Sequence, residues 1–157
     1  DAGSREERVN GHDRLRKYVA EEAASVGELK LLVGSASGGE LDMSAESLGA
    51  LDAFIANLTS RPGWHTWEVF ERFGDIRAWL ATRLAYYMGS YARRKYGAEW
   101  YMSHDSGSQE NPMPVMAVDG IEFCPLEVAW AVLQRERNGG MVGFFAELER
   151  ERLKRPA

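Results

Sequence analysis

The 157-residue chain has one cysteine, three histidines, five prolines and no long apolar run, and its cations do not outnumber its carboxylates. Each scarcity excludes something. A single thiol, Cys124, cannot build an internal disulfide framework, and it points to a reducing compartment, expected to be the cytoplasm. His12, His65 and His104 lie far apart with no ligand-spaced pair, so no metal site and no cofactor is expected. No stretch approaches the ~18 apolar residues of a membrane span, and the start, DAGSREERVNGHDR, lacks the apolar core of a signal peptide. A net charge of −5 leaves no basic excess for a phosphate backbone, which argues against nucleic acid as partner. The serines fall in no nucleophile-elbow pattern, and no glycine-rich phosphate cradle follows a predicted strand. No catalytic signature is legible.

What is present is the composition of a soluble globular protein, 45% hydrophobic and 27% charged, long enough for one domain with a real core. The expectation is a single α+β domain over residues 1–157, mostly helical, with residues 1–12 frayed. Its centre is the stretch from Asp75 to Gly97, DIRAWLATRLAYYMGSYARRKYG. At about 100° per residue, Ile76, Leu80, Arg83, Leu84, Tyr87, Tyr91 and Arg94 share one side, flanked by Trp79 and Met88. Ala78, Ala81, Ala85, Gly89 and Ala92 share the other. A row of small residues in place of charges predicts a helix covered on both sides. Arg93, Arg94 and Lys95 lie in the last turn, where cations oppose the negative end of the dipole, and Gly97 suits a left-handed stop.

Before this helix, an amphipathic helix is expected from about Asp13, with Leu15, Tyr18, Val19, Ala23 and Val26 as its stripe and a break near Asn10-Gly11. Residues 28–33 read either as a short strand or as the tail of that helix. GSASGGE (34–40) reads as a loop. Ser44 then caps a helix with Leu48, Leu51, Ile55 and Leu58 as its stripe, ending before Arg61-Pro62-Gly63. In WHTWEVFERF (64–73), Trp64, Trp67, Phe70 and Phe73 recur every three residues. They read as core or as one wall of a groove, with core the commoner meaning of such a stripe.

After Gly97 the period changes to that of strands. Residues 98–103, 114–118 and 121–123 are expected to form a three-stranded antiparallel meander, the last two joined by a type I′ turn at Asp119-Gly120. HDSGSQE (104–110) has too few and too loosely spaced ligands for zinc or calcium and reads as a polar loop. Pro125 opens a helix buried on Leu126, Ala129, Trp130 and Leu133, and Asn138-Gly139-Gly140 is its expected stop. A last helix follows, with Met141, Phe144, Phe145 and Leu148 on one face.

The segments YMGSYARRKYGAEW, VDGIEFCPLEVAWAVLQRERNGG and MVGFFAELE, with the upstream LDMSAESLGALDAFI, resemble a group of small bacterial (actinobacterial-type) α+β domains of uncharacterised function. Ser90 and Cys124 stand where that group commonly has Glu and Asp. The resemblance implies an accessory or immunity-like role, encoded beside toxins or biosynthetic clusters.

Two functional expectations follow. The first is a non-enzymatic binding or accessory protein of bacterial cytoplasm that recognises a protein partner through Trp64 and Trp67 or through Arg93 and Arg94. The second is a small-molecule binder or enzyme, with a pocket between residues 64–73 and the 75–96 helix where Arg83 holds an anionic group. Arg83, in the middle of a large apolar stripe, either does that or pairs with an internal carboxylate. Cys124, before a helix start, is a candidate thiol if amide dipoles lower its pKa.

Overall fold

Nearly the whole N-terminal quarter folds as one helix. The computed structural model describes residues 2–37, 41–64, 76–103, 114–137 and 139–155, and α1 runs unbroken over Ala2–Ser37. The expected break at Asn10-Gly11 is absent, residues 28–33 are helix tail, and residues 34–37 continue the helix where a loop was expected. A glycine inside a helix costs only about 1 kcal/mol, less than a long buried stripe returns. That stripe is Val26, Leu29 and Val33 together with buried Glu22 and Ser25, whereas Val19 and Ala23 face solvent. Glu22 enters the interior because its carboxylate is satisfied there. It pairs with Arg93 and accepts the Trp100 indole N–H at 3.1 Å.

The second helix, α2 (Ala45–Thr59), begins as expected at Ser44, whose hydroxyl accepts the Ser47 amide at 3.2 Å. The central helix, α3, spans Ile76–Tyr96. Leu80, Leu84, Tyr87 and Tyr91 are buried, and so are Ala81, Ala85, Gly89 and Ala92. Both flanks are therefore enclosed. A Cβ on Gly89 would fall 2.0 Å from Cζ2 of Trp100, so the small residue is what admits that indole.

The meander is β1 (Tyr101–Met102), β2 (Pro114–Val118) and β3 (Ile121–Phe123), antiparallel in the order β1-β2-β3. Tyr101 pairs with Val115, and Met116 with Phe123. The first strand is two residues long rather than six, because Ala98 and Trp100 are packed into the core beside α3. Asp119 and Gly120 both have positive φ, 50° and 79°, as a type I′ turn requires. Two helices close the fold: α4 (Pro125–Leu133) and α5 (Gly140–Lys154). α3 packs against α1 and against α4, and α2 packs against α5. The architecture is the expected mostly helical α+β fold with a three-stranded antiparallel sheet. No described helix is long and apolar enough to cross a membrane.

Candidate functional site

The site starts from a spacing on α2. Asp52, Ile55, Ala56 and Thr59 recur at i, i+3, i+4 and i+7, so they share one face of the helix. That face meets the turn between α4 and α5. At its upstream end the Asp52 carboxylate accepts the Met141 amide at 2.8 Å and the Val142 amide at 2.9 Å, capping α5 from a different helix. A Cβ on Gly140 would stand 2.6 Å from that carboxylate, so glycine there lets the two helices approach. Burial raises the Asp52 pKa above the ordinary carboxylate value, and the two amides offset this only in part.

At the downstream end, α4 stops at Leu133, well before the glycines expected to stop it. The Arg135 amide bonds to the Val132 carbonyl at 3.2 Å, and the Glu136 amide to the Ala131 carbonyl at 2.9 Å. These are the two bonds of a Schellman cap, and they place Arg135 at the left-handed position with φ 59°. Glycine is favoured there because a Cβ crowds the following carbonyl. Gly139 and Gly140 (φ 81° and 62°) instead open α5. Trp64 supports the same turn, its indole N–H donating to the Leu133 carbonyl at 3.4 Å.

From that position Arg135 donates Nε–H to the Thr59 hydroxyl at 3.1 Å, and among the described residues no carboxylate pairs with it. Arg137 pairs with Glu147, stands 4.8 Å over the Phe144 ring, and keeps a buried Nε with no hydrogen-bond partner among the described residues. Between these groups lies a cleft of about 330 Å³, lined by Asp52, Ile55, Ala56, Thr59, Val132, Arg135, Arg137, Gly139 and Gly140. It combines an apolar floor with the Arg135 guanidinium at the Thr59 end, the Asp52 carboxylate at the other, and Arg137 also in its lining. Such a cleft can hold an anionic group against Arg135 while an apolar body lies on Ile55 and Val132.

The residues singled out from the sequence mostly lie elsewhere. Arg83 is engaged internally: its guanidinium reaches Glu28 Oε2 at 2.8 Å, donates to the Trp79 carbonyl at 3.1 Å, and stacks 3.8 Å over the Trp79 ring. Arg93 pairs with buried Glu22, while Arg94 is exposed. Trp64 is buried in the core; Trp67 and the rest of the aromatic stretch from 65 lie outside the described residues, as does the loop 104–113. Cys124 is buried at the α4 start, its thiol 3.8 Å from the Pro114 carbonyl. Burial raises its pKa above the ordinary thiol value, which corrects the idea of a dipole-activated thiolate; nearby amides lower it by less. Among the described residues, no group of three or more His, Cys, Asp or Glu side chains is placed to share a metal ion.

The cleft was not read from the sequence. A signal was nonetheless present: the 52, 55, 56, 59 spacing mixes a carboxylate and a hydroxyl into a helix face that meets other chain. Fold and cleft together define a mostly helical α+β domain bearing an arginine-edged surface cleft. No family model, curated protein or solved structure matches the chain. The resemblance to small bacterial domains rests on its quoted residues alone.

Proposed function

We propose that the protein is a non-enzymatic binding or accessory protein that recognises a protein partner by taking an anionic group of it into the Arg135–Arg137 cleft. The observation that carries this reading is Arg135 itself. A side chain that disfavours the left-handed conformation occupies it at the lip of a cleft, where it has no carboxylate partner among the described residues. Strain of this kind concentrates at functional sites. The immunity-like role implied by the resemblance is compatible with such a surface, and a lone buried thiol fits the bacterial cytoplasm.

The test is amide chemical-shift mapping while acetate and inorganic phosphate are titrated into the protein at constant ionic strength. Saturable shifts confined to residues 52–59 and 132–143, and lost in Arg135→Gly, support an anion site. Shifts that track ionic strength alone, or that centre on Arg83 or Arg94, overturn it.

A further inference from the structure

Resting on that reading, we infer that the cleft takes the free C-terminal carboxylate of a polypeptide, with the last two or three residues lying extended along α2. Charge selects among anions. The lining holds Arg135, which no carboxylate pairs among the described residues, Arg137, which Glu147 already neutralises, and the Asp52 carboxylate. A monoanion is matched at the Arg135 end, whereas a phosphate dianion brings a second negative charge into a cleft that already holds Asp52. With Nε on Thr59, the planar guanidinium has two Nη groups that no described residue occupies, the geometry a carboxylate fits.

Length selects between a free amino acid and a chain end. Seven residues of α-helix separate Asp52 from Thr59, so the carboxylate-bearing and arginine-bearing ends stand about 10 Å apart along α2. A single amino acid spans about 3.5 Å, and about three extended residues are needed to run from one end to the other. With its carboxylate at Arg135, such a segment lays an apolar last side chain on Ile55 and Val132 and brings an upstream backbone N–H toward Asp52. The two carboxylate oxygens use only part of their accepting capacity on the α5 amides.

The probe is acetyl-Ala-Ala-Leu with a free carboxylate, compared by calorimetry and amide shifts with its C-terminal amide, with free leucine and with inorganic phosphate. The acid is expected to bind at least about tenfold more tightly than the amide, because the charge-assisted bonds are lost in the latter. It should also outbind free leucine. Arg135→Gly should abolish this preference while the protein stays folded, since glycine suits the left-handed position; Arg135→Asn, which also tolerates it, serves as the second variant. Equal binding of acid and amide overturns the inference, and so does leucine binding as tightly as the tripeptide. Phosphate binding in the cleft without the tripeptide overturns the inference and leaves the anion-binding reading standing. If no anion binds there, both fall.

Discussion

α3 and α4 both end among arginines, and they stop in different ways. At the end of α3, Gly97 takes the left-handed position with φ 69°, and its amide bonds to the Arg93 carbonyl at 2.9 Å. The neighbouring cations then serve stability. Arg93 holds buried Glu22, and the chain beyond Gly97 folds back so that Trp100 seats on Gly89. At the end of α4 the same backbone position belongs to Arg135, and its guanidinium is delivered to a cleft. The first end uses the residue that costs least. The second tolerates a conformational cost on the order of 1 kcal/mol to place a charge. Two ends with similar composition thus do different things, and backbone conformation tells them apart.

The comparison is broken most severely at Gly89. Gly89→Ala puts a Cβ where the Trp100 ring already lies, so the α3 end must open or the indole must leave. A loss of about 3 kcal/mol is expected in urea denaturation, and a loss below ~1 kcal/mol would mean that Trp100 is loosely held. Next in size is Glu22→Ala. It leaves Arg93 without its buried partner and the Trp100 N–H without an acceptor, for a loss of about 2 kcal/mol. Arg83→Ala is the control, since its partner Glu28 is about half exposed; a loss under ~1 kcal/mol is expected there.

The two stops themselves are separated by a pair of smaller changes. Gly97→Ala should cost about 1 kcal/mol, because alanine must adopt positive φ. Arg135→Gly should stay within ~0.5 kcal/mol of the parent, relief at the backbone offsetting the lost Thr59 bond. Arg135→Ala, which keeps the Cβ and loses the bond, should fall below Arg135→Gly. If instead the glycine variant is the least stable of the set, Arg135 is a structural residue and the contrast fails.

The smallest effect is a pH dependence. Asp52 has its folded pKa raised by burial, so its contribution is fully present below the ordinary carboxylate range and is lost as pH rises through the raised value. The stability of the parent relative to Asp52→Asn should therefore decline as pH rises across that interval. A difference that grows with pH would show that the two α5 amides outweigh the burial.

Much of the fold could be read from residue order alone. The two-sided pattern of residues 75–97, the Ser44 cap, the Asp119-Gly120 turn and Pro125 at a helix start are local signals, and local signals carry their own physics in dihedral preference and periodicity. The misreadings have one origin. The Glu22 carboxylate would not enter a core alone, and only the approach of Arg93 and Trp100, more than seventy residues away, makes it admissible. The α1 helix outran Asn10-Gly11 because one glycine costs less than the buried stripe between Glu22 and Val33 returns.

The site shows the same division more sharply. Residue order alone determined that 52, 55, 56 and 59 share a helix face, that α4 ends near basic residues, and that glycines lie at 139 and 140. Tertiary structure decided that Asp52 caps a helix ninety residues downstream, that the left-handed position falls on Arg135 and not on a glycine, and that these groups border one cleft. The reason is range. Dihedral preference acts between neighbours and can be read in a string of letters, but a carboxylate meets its amide donors, and a guanidinium its cleft, only once the whole core has brought separate helices together.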